Sequence, residues 1–332
     1  MIIMAMRESV FFRAALIILM IVAAGGCAKP KKSAETGGII LGFSQIGAES
    51  AWRICHTRSI QEAAAAAGVQ LLFSNAEQKQ ENQIKAIRSF IAYQVDVIAF
   101  VPIVSSGWDN VLREAKDAGI PVLITDRKID IQDESLYAGY IGTNSVQEGR
   151  DAAEFLLTKF QDQGASAKNP IRIVELSGTT GSSAADGRAQ GFREILAEYP
   201  EFRIIYSESG DFLRSKGYEL MRSILKDYSD IDVIFSHNDG MTLGALDAMK
   251  EKGLNPGTDI VIVTVDAEQA AIDALKRGEV NCVIECNPKQ GPQTIALAKQ
   301  LARLETIPRL IHVNETVFSE GDDLLSIGPR GY

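Results

Sequence analysis

Short apolar runs alternate along this chain with longer stretches that mix apolar and polar positions. The runs at 39–45, 69–75, 97–101 and 121–126 are rich in Val and Ile and are bounded by turn residues. They predict strands buried on both faces, as in a parallel sheet. The stretches between them, 51–67, 81–94 and 108–118, predict helices. Gly68 and Gly119 stand where a left-handed cap would stop two of these helices, and a strand follows each. A second series follows Asn144. Strands are expected at 172–177, 203–209, 233–236, 260–266 and 282–285, with helices at 145–160, 186–199, 213–227, 240–252, 268–277 and 290–304. Repeated strand–helix–strand units of this kind predict an α/β fold of two doubly wound, Rossmann-like lobes.

The amino terminus has a different pattern. Arg7 and Arg13 precede an apolar run over 14–24, too short for a permanent membrane helix of about 20 residues. Small residues Ala24, Gly25 and Gly26 follow, and then Cys27. A positive start, a short apolar core and small residues predict an export signal over 1–26. The cysteine directly behind it resembles a bacterial lipobox, in which Cys27 becomes the first mature residue and carries lipid. The alternative is an ordinary signal peptide with a chance cysteine. Residues 27–38 have no periodicity and are expected to be a tether. A lipid at Cys27 would anchor the protein to a membrane without spanning it.

Composition narrows the classes. The chain has 332 residues, a net charge of −9 and 46% hydrophobic residues, enough after Cys27 for two domains of ordinary size. An acidic chain without a basic stripe argues against nucleic acid as a partner. Three histidines and no CxxC pair give little support for a metal site. Cys282 and Cys286 fall in an expected strand region, roughly 13 Å apart and too far for one disulfide. With Cys55 they are expected to be small buried hydrophobes. No Gly-Lys-Ser/Thr follows a glycine loop and no GxGxxG is present, so no nucleotide cofactor is expected.

In an open α/β sheet, ligands bind beyond the carboxyl ends of the strands. Trp52 and Arg53 follow the first strand, and Asp126 and Arg127 the fourth. Arg188 follows the turn after Ser177 and Gly178. Asn238 and Asp239 follow the strand at 233–236, Asp266 ends the next, and Glu285 ends the last. Carboxylates, guanidinium groups and an amide suit a sugar, whose hydroxyls both donate and accept. Asp126, Asp239 and Asp266 would accept, and Arg53, Arg127 and Arg188 would donate in planar forks. Trp52 would lie against the apolar face of the ring. Neighbouring Arg and Asp would keep each other charged.

Each residue also has a plainer reading. Trp52 and Trp108 would serve as packing residues at helix starts. An Asp that closes a strand is often a helix cap. Arg188 would suit a helix surface, and Glu285 fits the hinge as well as the sugar. His237 is expected to be structural.

Several stretches carry a family resemblance. They are 42–53 (GFSQIGAESAWR), 78–90 (QKQENQIKAIRSF), 106–109 (SGWD), 114–118, Asp126-Arg127, 209–212 (SGDF), 214–217 (RSKG) and 237–239 (HND). On these the chain resembles the type I periplasmic sugar-binding proteins of ABC importers, and within them the galactofuranose binders. The resemblance implies three chain crossings between lobes, near 140–144, 266–267 and 285–288. It then implies an N-terminal lobe of 39–140 plus 267–285 and a C-terminal lobe of 141–266 plus 286–332. It also implies hinge closure on a monosaccharide, delivery to a permease and its ATPase, and a cleft lined by Trp52, Arg53, Asp126, Arg127, Arg188, Asn238 and Asp266. Cys55 and His56 depart from the family pattern beside the matched arginine, which leaves the sugar open. Rival readings are a sensor docking on a chemoreceptor or receptor kinase, a glycosidase using two carboxylates, and an effector domain. The last would need a DNA-binding module where the export signal stands.

Overall fold

The strands form where apolar runs are covered on both faces. Val97–Phe100 (β3) and Val233–Ser236 (β8) are buried at every position. We describe residues 38–332 of a computed structural model; the expected signal, Cys27 and the tether through residue 37 lie outside them.

The chain begins with Ile40–Gln45 (β1), Ala51–Ala66 (α1), Gln70–Asn75 (β2), Gln80–Ala92 (α2), β3, Asp109–Asp117 (α3), Val122–Asp126 (β4) and Gly139–Gly142 (β5). It continues with Ser145–Phe160 (α4), Ile171–Ser177 (β6), Ser183–Leu196 (α5), Phe202–Ser209 (β7), Arg214–Asp227 (α6), β8 and Asp239–Glu251 (α7). Val261–Asp266 (β9), Gln269–Lys276 (α8), Cys282–Glu285 (β10), Gly291–Ala302 (α9), Leu310–His312 (β11) and Val317–Ser319 (β12) complete it. Gly68 and Gly119 take the left-handed φ expected of them, +66° and +74°. Behind each, the next amide reaches back to the helix, Val69 N to Ala64 O (2.9 Å) and Ile120 N to Ala115 O (3.0 Å), closing the last turn.

Two six-stranded sheets result, in the orders β2-β1-β3-β4-β5-β11 and β7-β6-β8-β9-β10-β12. All pairings are parallel except β10 with β12. Both sheets share one doubly wound order, so the expected pair of Rossmann-like lobes is present. β5, β11 and β12, of four, three and three residues, have no counterpart in the sequence reading.

The expected lobe boundaries need correction. Residues 267–285 belong to the second lobe. α8 returns the chain to the same sheet, where β10 pairs in parallel with β9 in the register Glu285 opposite Asp266. A helical crossover of this kind joins consecutive parallel strands of one sheet, so there is no crossing at 266–267. Conversely, α9 packs on α1 and β3 of the first lobe, and β11 pairs with β5, so 291–312 lies there. The crossings fall between β5 and α4, between β10 and α9, and between β11 and β12.

The lobes carry separate apolar cores. Leu41, Phe43, Val97, Leu123 and Leu301 fill one face of the first sheet. Val174, Ile234, Met241, Met249 and Val283 fill one face of the second. α4 and α5 pack closely because glycines stand at their contact. A Cβ on Gly191 would lie 1.9 Å from Val146 O, and one on Gly149 would lie 2.1 Å from Arg188 O. Backbone fills both positions, so no side-chain rotation relieves the clash. Gly191→Ala is therefore expected to force the helices apart at a cost of roughly 1–3 kcal/mol, read as a lower urea midpoint at unchanged slope.

Candidate functional site

The carboxyl ends of the two sheets meet over a small buried cavity. It is lined by Glu49, Ser50, Trp52, Arg53, Asp126 and Arg127 from the first lobe and by Ala184, Arg188, Phe212, Asn238, Asp266 and Cys286 from the second lobe and its border. The cavity measures about 30 Å3, room for about two waters. Hydrogen bonds join the lobes around it: Ser105 N to Gly181 O (2.9 Å), Lys128 N to Ser183 Oγ (2.7 Å) and Trp52 N to Glu268 Oε1 (3.0 Å). This is a closed arrangement.

On the first lobe, Ser50 caps α1 by accepting from Arg53 N, which places Trp52 and Arg53 in the first turn. Arg53 is buried and forms two ion pairs, Nε with Glu49 Oε1 (3.0 Å) and Nη1 with Asp126 Oδ2 (2.7 Å). Burial works against both charges. For Asp126 the opposing cation Arg53, helped by His56 and Arg127, outweighs it and lowers the carboxyl below its ordinary range. Asp126 and Glu49 likewise outweigh burial and raise Arg53. Arg127 is pulled down to about 10 by burial and by Arg53, against the attraction of Asp126 and Glu49. Its Nη1 donates to Ile103 O (3.0 Å), and its guanidinium lies 5.1 Å from the Phe212 ring.

Trp52 both packs and lines the cavity. Its indole N–H donates to Cys286 O, and its ring stacks on His56 at 5.3 Å with 8° between planes. Burial brings His56 down to about 4, so the ring beneath Trp52 is neutral. Trp108 plays no part here; it donates to Val104 O and packs on Phe100 in the first-lobe core.

On the second lobe, Arg188 projects from α5. Its Nε donates to Glu148 Oε2 (2.6 Å), Nη1 donates to His237 O, and Nη2 lies 3.8 Å from Asp266. Asn238 caps α7 through Oδ1 to Met241 N (3.0 Å), and its Nδ2 donates to Phe212 O (3.2 Å). Both ends of the amide are engaged, leaving one proton free. The expectation that each Asp stays charged holds for Asp126 and fails for Asp266. Burial pushes the Asp266 carboxyl well up; Arg188 only partly offsets it, and Asp239, Glu268 and Glu148 add to it.

Two expected contacts are displaced. Asp239 does not line the cavity. Its Oδ1 accepts from Thr264 Oγ1 (2.7 Å) and its Oδ2 from Glu268 N (2.6 Å), so it fixes the turn that sends Glu268 to Trp52. Glu285 pairs with Arg330 of the C-terminal segment. His237 is structural as expected, with Nε2 3.1 Å from Glu175 Oε1. Cys55, Cys282 and Cys286 are free and buried.

Glu49, Ser50, Ala184, Phe212 and Cys286 were not picked out from the sequence. Strand-end logic passes close to Glu49 and Ser50, but Phe212 and Cys286 reach the cavity only through folding. No sequence pattern marks the backbone of the site either. Nine non-glycine residues among those described have φ above zero, and five are at the cleft: Asp126 (61°), Asp211 (54°), Phe212 (63°), Asp266 (127°) and Ala267 (65°). Such conformations cost free energy and concentrate at functional sites. Two lining atoms, the acceptor Glu49 Oε2 and the donor Arg127 Nε, are buried without a hydrogen-bond partner, which calls for a ligand that offers both functions.

Residues 41–306 match the family model of the periplasmic binding protein domain. The galactofuranose-binding protein YtfQ of Escherichia coli (strain K12) is 42% identical over 265 residues, 79% of this chain and 81% of that protein. A Mycobacterium smegmatis structure in complex with β-D-fucofuranose is 45% identical with a TM-score of 0.83, covering 85% of this chain and 92% of the other. The binding protein of an arabinose ABC transporter from Shewanella sp. ANA-3, bound to α- and β-L-arabinofuranose, is 41% identical with a TM-score of 0.80, covering 85% and 92%.

Asp126→Asn leaves Arg53 and Arg127 facing each other across an uncharged amide. Stability should fall by about 3 kcal/mol, the low end for a broken buried pair, because Glu49 still faces Arg53. Asp126 is lowered in the fold, so its contribution is full above the ordinary value of 3.8 and fades as acid approaches the lowered one. The gap between wild type and variant in urea denaturation should therefore narrow toward acid pH; a gap that does not vary with pH would contradict the assignment.

Proposed function

The chain belongs to the periplasmic binding protein domain family, and from that membership we propose that it is the extracytoplasmic sugar-binding lipoprotein of an ABC importer, with a furanose such as galactofuranose as ligand. The observation that carries this reading is the convergence of Trp52, Arg53, Asp126, Arg127, Arg188, Asn238 and Asp266 from two lobes on one cavity. The relatives at 41–45% identity that were solved with a sugar hold fucofuranose and arabinofuranose, and YtfQ is named for galactofuranose.

The chemistry fits a small polyol. Asp126 and Glu49 accept from hydroxyls, Arg127 and Arg188 donate, and the indole of Trp52 covers the apolar face of the ring. Asp239 and Glu285 fall outside this set. Asp239 acts one step back, through Glu268 and Trp52, and Glu285 serves the C-terminal segment.

Delivery follows from hinge bending. A cavity of about 30 Å3 is far below the several hundred Å3 of ordinary ligand sites, so a sugar enters with the lobes apart. Three crossings permit that movement. Ligand contacts on both lobes then favour the closed form, the shape that an importer recognises. Among the described residues no helix is long and apolar enough to cross a membrane, and attachment is assigned to lipid on Cys27.

Isothermal titration of the purified protein should show binding of galactofuranose and arabinofuranose and much weaker binding of the corresponding pyranoses. Asp266→Ala should weaken binding about fivefold or more, since leaving the buried partner of a lost hydrogen bond unsatisfied costs about 1–3 kcal/mol. Preference for pyranoses would overturn the ligand assignment, and unchanged affinity in the variant would remove this cleft as the site. Cys27→Ala should move the protein from the membrane fraction to the soluble extracytoplasmic fraction; retention on the membrane would exclude the lipid anchor.

A further inference from the structure

The three crossings between the lobes meet at an unusual set of buried acids. Glu315 lies on the third crossing. Its Oε2 accepts from Asn144 N on the first, and its Oε1 accepts from Asn287 N on the second, both at 3.4 Å. One carboxyl thus gathers all three strands of the hinge. Glu148, in the first turn of α4, is almost wholly buried. Its Oε2 receives the Arg188 guanidinium at 2.6 Å, while its Oε1 is buried with no partner among the described residues. Carboxyl oxygens of Glu148 and Glu315 and the Cys286 sulfur lie within 4.8 Å of one another.

Charge is out of balance here. One buried carboxyl, Glu148, and one partly buried, Glu315, face one cation, and Arg188 also lies 3.8 Å from Asp266. The remaining neighbours supply no compensation. Burial keeps the Cys286 thiol and the Tyr140 phenol protonated and uncharged. His312 on β11 is pulled down by burial and by Lys128, so its ring is neutral too. Lys128 lies over the Tyr140 ring at 5.4 Å, is lowered by burial, and among the described residues forms an ion pair with neither carboxyl. A buried, unpaired carboxylate binds a proton in preference to keeping its charge.

We propose that Glu315 is a positioning residue that holds a proton at the hinge beside Glu148 and so ties the cleft guanidinium of Arg188 to the three crossings. Glu148 orients Arg188 toward the cavity, and Glu315 holds the amides of the first two crossings. With the proton in place the pair carries one negative charge, matched by Arg188. Loss of the proton sets two like charges where the crossings meet and favours their separation, which opens the cleft. Burial, reinforced by Glu148, pushes Glu315 up to about 9.

The sign follows from linkage. A carboxyl raised in the fold stabilises it fully below its ordinary value of 4.5 and loses that contribution as pH rises toward about 9. The effect on sugar affinity rests on the binding-protein reading above, whereas the proton itself does not. The test is therefore ligand-free urea denaturation of the full protein between pH 5 and 9, for wild type, Glu315→Gln and Glu148→Gln. Across this range the wild-type unfolding constant should rise more steeply than that of either variant, by up to about tenfold per pH unit. A merely structural role would lower stability equally at every pH, so parallel profiles for all three proteins would overturn the proposal. If Glu315→Gln does not fold, Glu148→Gln alone decides. In a parallel titration with galactofuranose, wild-type affinity should weaken from pH 6 to 9 and that of the variants should stay level. Unequal stability slopes without any sugar binding would support the hinge proton and overturn the sugar reading instead.

Discussion

Charge is buried at the facing ends of two sheets, and the rest of the molecule accommodates it. Arg53 sits between Glu49 and Asp126, and Arg188 between Glu148 and Asp266. Each guanidinium is held by carboxylates of its own lobe, so each half of the cleft is paired before the lobes meet. Taking such ions out of water costs several kcal/mol apiece unless partners and hydrogen bonds replace the solvent. The structure supplies these with helix starts and strand ends: Ser50 caps α1, Asn238 caps α7, and His237 O receives Arg188. The strained φ values of Asp126 and Asp266 serve the same end, at strand ends whose side chains would otherwise stand perpendicular to the sheet.

The two halves of the site differ electrostatically. Around Asp126 cations prevail, and the carboxyl remains ionised. Around Asp266, Asp239 and Glu268, carboxyls outnumber cations, and burial shifts all three upward. A neutral polyol suits that contrast, because a hydroxyl donates to the ionised side and accepts from a protonated acid on the other. The two sides are joined mechanically. Glu268 reaches from the second lobe to Trp52 N at the head of α1, and Asp239 holds Glu268 in place. The few hydrogen bonds between the lobes leave the crossings as the natural place for movement, and Glu315 gathers those crossings.

Much of this was legible in the residues alone. Strand and helix positions followed from periodicity, because a strand covered on both faces must be apolar throughout and a surface helix must be two-faced. Seven of the nine expected contacts line the cavity, because a doubly wound sheet brings every strand end to one edge. Asp239 and Glu285 were misplaced for the same reason: a strand end gives a position and not a direction. Asp239 turns toward Thr264, 25 residues on, and Glu285 toward Arg330, 45 residues on, and side-chain direction there depends on such neighbours from other elements.

What the sequence determined by itself was therefore local and periodic: an α/β alternation, two lobes, a polar set at the strand ends, and an amino-terminal segment with the marks of export. Tertiary structure alone decided which sheet received β10, because a crossover helix looks alike in sequence whichever lobe it returns to. It alone brought Phe212 and Cys286 to the cavity and Glu148 to Glu315, pairs whose separation along the chain carries no period. It also decided protonation, since a carboxyl's charge depends on the water and cations left around it once the lobes have closed.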